Sequence, residues 1–405
     1  MPIVIRSVAP DELADMAQHV SMGFGHDASP HYVESVRTLV DPSRTYCAFE
    51  NQKLVGTCGA FEFTLSLPGG QIPMAGTTMV TVSPSHRRRG VMRQMMSAHL
   101  EDSVARGDSL VGLWASEGGI YGRFGFGPAA IGQRITINAR TAQWGGGAID
   151  GLDVASPDQA LPILTQLYDK AFAARPGFLK RSEDWWRLRI LNDDPDTREG
   201  ASKLRIATYS NDRGPEGYAI YRQRSTDPFG EGELLVNELV ALTGAAHQGL
   251  WRFVCEVDLF PRAVYWNAPT DDEVIWRVGN AYAVRREAID NLWLRPVDVA
   301  AVLAARRYHN DGELTIKVVD DWLGRAQTWH LAVAGGVATV SPSEREPEIV
   351  LSIGELGALA LGRRVAFALH RAGRIRRGLG GARGAVASLD RLLSGSLDPW
   401  CPEVF

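Results

Sequence analysis

Cysteine is scarce in this chain: only 4 of the 405 residues are cysteines, at positions 47, 58, 255 and 401. They lie far apart and form no Cys-x-x-Cys pair, which argues against a disulfide framework and against a zinc site. We therefore expect a protein without a metal that works in a reducing compartment.

Long apolar runs and an excess of positive charge are also missing. No segment reaches the roughly 20 apolar residues of a transmembrane helix, and Met1–Arg6 lacks the apolar core of a signal peptide. We therefore expect a cytoplasmic protein with no membrane partner. The net charge of -4 does not favour nucleic acid as a partner. A length of 405 residues exceeds one ordinary core and predicts two or three domains.

The stretch from Val80 to Arg93 reads as a strand, a basic turn and a helix. The strand is β-branched, and a Ser83-Pro84 break ends it. The helix begins near Val91, with apolar residues at helical spacing. The residues between them bring backbone N–H groups, a helix N-terminus and guanidinium groups to one place, a combination that suits a polyphosphate. His86 beside the arginines invites assignment as a base, but we interpret it as a turn residue.

A second segment, Ser116 to Pro128, is rich in both glycine and aromatic residues. It follows a buried strand predicted at residues 109–115. Glycine permits close backbone approach and unusual φ values, while aromatic residues pack the segment down. This mixture favours a shaped site over a flexible linker.

The order of predicted elements before residue 140 is β-α-α-β-β-β-α-β-α-β. It includes a long strand at residues 54–67, a Pro68-Gly69-Gly70 hairpin turn and the helix after Gly90. This order, with a phosphate-type turn after the fourth strand, resembles the GNAT superfamily of N-acetyltransferases. The short GNAT signature fits at Arg87-x-x-Gly90, but Met92 stands where a small residue is usual.

A weaker copy of the strand-turn-helix unit follows a Gly- and Ala-rich boundary at residues 141–157. A strand is predicted at residues 234–242 and a helix at residues 250–254. Aligning Gly249 on Gly90 places Ala246, His247 and Gln248 where the three arginines stand. We infer an internal repeat, a second domain of the same fold without the phosphate-binding charge; the alternative is a chance match of two common units.

The last segment begins near Leu292. A helix at residues 297–308, strands at 314–319, 327–333 and 338–340, and a helix from Ser352 to Leu361 together resemble the sterol-carrier-protein fold. The predicted fold class is thus α+β (mixed α/β), with two tandem GNAT-like domains at 1–145 and 146–290 and a sterol-carrier-like domain at 291–405. The arginines between Arg363 and Arg383 admit a nucleic-acid interpretation, but interspersed glycines and the acidic net charge favour a solvated or subunit-facing surface.

Across its whole length the chain resembles the enhanced-intracellular-survival type of aminoglycoside N-acetyltransferase. The resemblance rests on Val82-x-Pro84-x-His86-Arg87-Arg88-Arg89-Gly90, on Ser116-Glu117-Gly118-Gly119-Ile120-Tyr121-Gly122-Arg123-Phe124-Gly125, and on the terminal Phe405. It implies acetyl-CoA as co-substrate, a small-molecule amine as acceptor and a homo-hexamer.

The resemblance also implies roles for individual residues. Tyr121 would be the general acid, and the C-terminal carboxylate of Phe405 the general base. The residues implied to contact acetyl-CoA are Val80, Thr81 and Val82 along its pantetheine arm, Arg87, Arg88, Arg89, Gly90, Val91, Met92 and Arg93 around its phosphates, and Ser116 and Glu117 at its border.

Other interpretations of the same residues stay open at this point. The arginines alone would fit plain surface charge, Tyr121 a packed loop aromatic and Phe405 a frayed tail. The same enzyme class would also act on protein lysine amines. A non-catalytic protein that binds acyl-CoA in its first domain and lipid in its last is a third hypothesis.

Overall fold

The computed structural model describes residues 2–115, 117–145, 149–226 and 231–405. The chain divides into two compact units. One contains Met1–Ala130, Asn291–Ser396 and Glu403–Phe405, and the other contains Ile131–Asp290 and Leu397–Pro402. Each unit is described by itself below.

Within the described residues, the first part of the chain carries six strands and four helices. They are β1 (Val4–Arg6), α1 (Leu13–Gly23), α2 (Pro30–Leu39), β2 (Cys47–Glu50), β3 (Lys53–Leu67), β4 (Gly70–Val82), α3 (Val91–Arg106), β5 (Leu110–Trp114), α4 (Gly118–Tyr121) and β6 (Gly127–Pro128). Short 3₁₀ turns lie at Pro10–Glu12, Pro42–Arg44, Pro84–His86 and Gly122–Phe124.

The middle part, in the residues that the structure describes, carries seven strands and four helices. They are β7 (Ile131–Asn138), β8 (Leu152–Ala155), α5 (Pro157–Ala174), α6 (Glu183–Trp185), β9 (Arg205–Asn211), β10 (Gly214–Ser225), β11 (Gly232–Ala241), α7 (Gly244–Glu256), β12 (Arg262–Pro269), α8 (Val274–Arg277) and β13 (Val284–Asp290). A π-helical turn at Trp186–Ile190 continues α6, and 3₁₀ turns lie at Pro195–Thr197 and Ala281–Ala283.

The last part carries six strands and four helices. They are β14 (Leu292–Pro296), α9 (Val299–Ala304), β15 (Gly312–Asp320), β16 (Arg325–Ala334), β17 (Val337–Pro342), β18 (Ile349–Ser352), α10 (Ile353–Leu359), α11 (Ala366–Arg371), β19 (Arg376–Arg377) and α12 (Ala385–Leu393).

Three mixed sheets organise these elements. The first has the order β1-β2-β3-β4-β5-β14-β6, the second β13-β7-β12-β11-β10-β9-β8 and the third β17-β16-β15-β18-β19. Each sheet holds one parallel pair among antiparallel neighbours: β4 with β5, β11 with β12, and β15 with β18. The first two sheets therefore repeat one arrangement, and the mixed α+β class is confirmed.

The predicted elements of the first domain are confirmed because their signals are local. The Pro68-Gly69-Gly70 turn pairs Leu67 with Gly70, as expected of a hairpin. In α2, the Ser29 hydroxyl accepts a hydrogen bond from the Tyr32 N–H at 3.1 Å, and Pro30 occupies the first helical position. The apolar residues of α3 enter the core of the first sheet, where Met95, Met96 and Leu100 are buried.

Two strands cross the expected domain boundaries. β7 precedes residue 145 yet belongs to the second sheet, between β13 and β12. β14 follows residue 290 yet belongs to the first sheet, between β5 and β6. The domain boundaries 1–145, 146–290 and 291–405 stay a prediction. In the structure, the chain passes from the first sheet to the second after residue 130 and returns to the first sheet after residue 290.

All four cysteines are buried free thiols. This agrees with the absence of a disulfide framework expected from their spacing. Among the helices of the described residues, none combines the length and apolarity needed to cross a bilayer.

Candidate active site

The central feature of the first sheet is the divergence of β4 and β5. They pair in parallel only from Met74 to Gly76, opposite Leu110 to Gly112. Beyond this point β5 continues along β14, as far as the pairing of Trp114 with Leu292. The second half of β4 therefore runs on beside a gap in the sheet.

A bulge helps to turn β4 away from β5. The register between β3 and β4 shifts between Thr57 and Gly59, and Met79 has a left-handed φ of 54°. A bulge bends its strand and leaves backbone groups without ladder partners. The Ser83 N–H donates to the Val55 carbonyl at 2.9 Å. Because pairing alternates along antiparallel strands, the N–H and C=O of Val82 face away from β3, toward the gap.

A buried hydrogen-bond chain fixes this half of β4. The Thr57 hydroxyl donates to the Met79 carbonyl at 2.7 Å and lies 2.7 Å from the Thr81 hydroxyl. His19 of α1 contacts Thr81 through Nδ1 and Ser83 through Nε2, both at 2.9 Å. With the Thr57 proton already donated, Thr81 donates to Thr57 and accepts from Nδ1–H of His19, so Nε2 accepts from Ser83. Burial lowers the pKa of His19, in keeping with this neutral tautomer.

The basic turn leads from β4 into α3 through two left-handed residues. Arg88 has a φ of 62°, and Gly90, which precedes the first helical residue, has a φ of 76°. Gly90 has no side chain to cap the helix, so the first N–H groups of the 16-residue helix α3 remain open to a ligand.

The three arginines of the turn do not share one environment. The Arg89 guanidinium donates to Glu50 at 2.9 Å, and His86 contacts the other oxygen of Glu50 at 3.0 Å. These two hydrogen bonds lower the pKa of Glu50 to about 2. Arg89 and His86 thus anchor the turn to β2, which agrees with His86 as a turn residue. Arg87 and Arg88, unlike Arg89, line a cavity, whose wall His86 also reaches.

This cavity has a volume of about 820 Å³, within the range of small-molecule sites. Its wall contains nearly all of the implied cofactor residues and several others. The lining residues are Gly23, Phe24, Val80, Thr81, Val82, His86, Arg87, Arg88, Gly90, Val91, Met92, Arg93, Glu117, Ile120, Tyr121, Arg123, Phe124 and Trp322. Guanidinium groups, open helix N–H groups and the backbone of a diverging strand fit a ligand with phosphates at one end and an amide-containing arm at the other.

Tyr121 belongs to the same wall. It ends α4, its side chain is 6% exposed, and its ring lies edge-on to Phe126 with the centroids 6.1 Å apart. Glu117, the residue immediately before α4, also lines the cavity. Ser116, the remaining implied cofactor residue, lies outside the described residues.

The last residue of the chain packs against the first sheet. The ring of Phe405 lies 5.0 Å from the ring of Phe63 on β3, centroid to centroid. A methyl group built on Gly76 would lie 3.0 Å from Cε2 of Phe405, so the ring also touches β4. Glu403 beside it is 1% exposed. Phe405 therefore packs at Gly76, the last residue of β4 that pairs with β5, and it is not a frayed tail.

The register predicted for the internal repeat is wrong. Helix α7 begins at Gly244, not after Gly249, and the Thr243 hydroxyl accepts a hydrogen bond from the Ala246 N–H at 3.2 Å. Thr243 therefore corresponds to Gly90 as the capping residue, and His247 and Gln248 lie inside the helix. Aligning on a glycine overlooked the stronger capping signal of threonine.

Several cavity residues had no signal in the sequence. Trp322 comes from the turn between β15 and β16, and Phe24 follows the last turn of α1. The structural role of His19 was also missed. A histidine on the buried face of a helix indicates that its ring nitrogens have hydrogen-bond partners.

Comparisons with known families agree with this architecture. Acetyltransferase (GNAT) domain models match residues 4–129 and 177–295, and a sterol carrier protein domain model matches residues 299–402. The second GNAT match confirms the internal repeat, although not its predicted register.

Curated relatives span nearly the whole chain. An uncharacterized N-acetyltransferase of Streptomyces avermitilis is 34% identical over 91% of both chains. N-acetyltransferase Eis of Mycobacterium tuberculosis is 31% identical, covering 93% of this chain and 94% of the relative.

Solved structures show the same fold. Eis1 from Mycobacterium abscessus superimposes with a TM-score of 0.84 at 27% identity, covering all of both chains. A GCN5-related N-acetyltransferase from Anabaena variabilis superimposes with a TM-score of 0.86 at 20% identity, also over all of both chains. The chain therefore belongs to the Eis-like N-acetyltransferases of the GNAT superfamily, with two GNAT domains followed by a sterol-carrier-like domain.

Proposed function

We propose that this enzyme transfers the acetyl group of acetyl-CoA to amines of aminoglycosides or similar polyamines. GNAT acetyltransferases use acetyl-CoA, and the resemblance to the Eis type supports the amine class. The observation that carries the proposal is the packing of Phe405 on Phe63 and Gly76. It brings the chain terminus to Gly76, where the pairing of β4 with β5 ends and from which β4 runs on to the cavity lined by the arginine turn and Tyr121.

The lining of the cavity supports roles for individual residues in cofactor binding. Arg87, Arg88, Arg93 and the N–H groups at the start of α3 would hold the phosphates by charge-assisted hydrogen bonds. The N–H and C=O of Val82, which face away from β3, would pair with the amides of the pantetheine arm. These hydrogen bonds would replace those that β5 would make if it continued beside β4. Arg89 would act indirectly, since its guanidinium is engaged by Glu50.

The chemistry requires two proton transfers. The neutral amine attacks the thioester carbonyl carbon, so that a C–N bond forms and the C–S bond breaks. The C-terminal carboxylate takes a proton from the amine; an α-carboxyl ordinarily has a pKa of about 3.3–3.7, and a dry site would make it a stronger base. The Tyr121 hydroxyl, with an ordinary pKa near 10, would protonate the departing thiolate.

The test is acetyl transfer from acetyl-CoA to a panel of amines, with thiol release as the readout. We expect Tyr121→Phe to lower kcat by about 10²–10⁴-fold while the Kd of acetyl-CoA stays unchanged, because a general acid acts in the transition state. Deleting Phe405 moves the carboxylate by one residue, about 3.8 Å, and should produce a comparable loss. Phe405→Tyr keeps both an aromatic ring and the terminal carboxylate and is the matched control.

Full activity after deletion of Phe405 would remove the terminus from the mechanism. Competition between an aminoglycoside and a lysine peptide separates the proposed substrate class from a protein lysine acetyltransferase. Tight acyl-CoA binding without turnover on any amine would instead favour a binding protein.

The resemblance further supports a cytoplasmic homo-hexamer that has no nucleic-acid or membrane partner. Sedimentation or native mass spectrometry of the full chain tests the assembly, and a monomer in solution would contradict it.

A further inference from the structure

One wall residue of the cofactor cavity belongs to the sterol-carrier-like domain. Trp322 lies in the tight turn between β15 and β16 and lines the cavity together with the first turn of α3. The Arg93 guanidinium lies 5.0 Å from the centroid of the Trp322 ring, in cation–π geometry. The Phe124 ring meets the same indole edge-on, with the centroids 4.7 Å apart.

The turn that carries Trp322 is fixed by a buried carboxylate. Asp320 accepts a hydrogen bond from Nη2 of Arg295 on β14 at 2.8 Å. Its other oxygen accepts from the Leu323 N–H at 3.3 Å, which closes the turn around Trp322. Both charged side chains are almost fully buried, Arg295 being 1% and Asp320 3% exposed. The indole is thus anchored to the first sheet.

The glycine-rich segment after Tyr121 makes this anchoring possible. A methyl group built on Gly125, whose φ is 82°, would lie 2.0 Å from Nη1 of Arg295. One built on Gly127 would lie 1.8 Å from the carbonyl oxygen of Gly354 in α10. These glycines therefore give the third domain room to dock on the loop that carries Tyr121.

The position of Trp322 points to one part of the ligand. The arginines and the start of α3 form the phosphate end of the cavity, and Trp322 contacts Arg93 at this end. In acetyl-CoA the group attached to the phosphates on the side away from the pantetheine arm is an adenosine. An indole face stacks well on a purine base.

We propose that Trp322 binds the adenosine part of acetyl-CoA, so that the sterol-carrier-like domain contributes directly to cofactor recognition. The inference rests on the proposed cofactor site. Affinity for the whole cofactor then depends on a side chain more than 200 residues away from the arginine turn.

The experiment measures calorimetric Kd values of the full-length protein for acetyl-CoA and for adenosine 3′,5′-diphosphate, a fragment without the pantetheine arm. Trp322→Leu fills the apolar space without an aromatic face, and we expect it to weaken binding of both ligands by about tenfold or more. Trp322→Phe keeps an aromatic face and should stay within about threefold of wild type. The kcat/KM for S-acetylpantetheine, which lacks the nucleotide, should be unchanged in both variants.

Unchanged acetyl-CoA affinity in Trp322→Leu would overturn the inference. So would an equal loss with S-acetylpantetheine, because it would indicate a general distortion of the cavity. Wild-type protein that fails to bind acetyl-CoA would overturn the proposed function as well, whereas wild-type binding with an unaffected Trp322→Leu variant overturns the inference alone. Thermal unfolding of each variant checks that the fold is kept.

Discussion

The two GNAT domains differ in what occupies the gap between their central parallel strands. In the first domain the gap beyond Gly76 borders the 820 Å³ cavity. In the second domain β11 and β12 pair up to Val236 and Tyr265. Immediately beyond, the Tyr265 hydroxyl accepts a hydrogen bond from the Leu239 N–H at 3.2 Å. A backbone group that would otherwise be open to a ligand is thus satisfied by the domain's own side chain.

A buried charged cluster lies close to Tyr265. Glu238 accepts hydrogen bonds from the Arg181 guanidinium at 3.0 Å and from the Tyr218 hydroxyl at 2.6 Å. Burial raises the pKa of Tyr218 well above its ordinary value, so it stays a donor. The Arg181 guanidinium lies over the rings of Tyr168, at 3.7 Å, and Trp186, at 4.3 Å.

The helix N-termini that follow the two gaps also differ. Gly90 leaves the start of α3 open beside Arg87 and Arg88, whereas Thr243 caps α7 and donates to Glu216 at 2.7 Å. The hydrogen bond from Thr243 helps to lower the pKa of Glu216. A carboxylate at this position repels phosphate. The duplicated fold has kept its topology, and we infer that its own side chains have replaced the ligand.

The largest effect is expected from breaking the buried pair in the second domain. Arg181→Met leaves Glu238 buried without a cation and should lower the free energy of unfolding by about 3–5 kcal/mol. Urea denaturation measures this loss. The Kd of acetyl-CoA should not change, since the proposed cofactor site lies in the first domain.

The matched control is the double variant Arg181→Met, Glu238→Gln. It removes both charges and should recover much of the lost stability. If Arg181→Met weakened acetyl-CoA binding in protein that remains folded, the second gap would not be a purely internal site.

A smaller effect should separate two neighbouring arginines of the first domain. Arg87→Ala removes a guanidinium from the cavity wall and should cost about 1.5–3 kcal/mol of acetyl-CoA binding free energy. Arg89→Ala removes a partner of Glu50 and should change the Kd by no more than about twofold. Titration calorimetry at two salt concentrations checks both values, because phosphate contacts weaken as salt rises. Equal losses in the two variants would contradict the division of roles within the turn.

The sequence predicts those features whose signals are local. The β3–β4 hairpin, the arginine turn and α3 each follow from residues adjacent in the chain. The long motif around Tyr121 indicates the family. Trp322 could not be found in this way, because only the folded chain brings it beside Arg93. The exchange of β7 and β14 between sheets is equally invisible, since a strand pattern does not specify its partner strand.

The register of the repeat could have been predicted better from the sequence, because Thr243 is a local capping signal. The smallest of the expected effects concerns this residue. Thr243→Ala removes the cap of α7 and should lower the free energy of unfolding by about 1 kcal/mol. Thr243→Ser keeps a hydroxyl for both Ala246 and Glu216 and should behave like wild type. Acetyl-CoA affinity should be the same in wild type and both variants. The start of α7 is capped by a side chain, whereas the uncapped start of α3 lines the cavity. Weaker cofactor binding in Thr243→Ala alone would mean that the second helix N-terminus still serves a ligand, and the contrast between the two domains would fail.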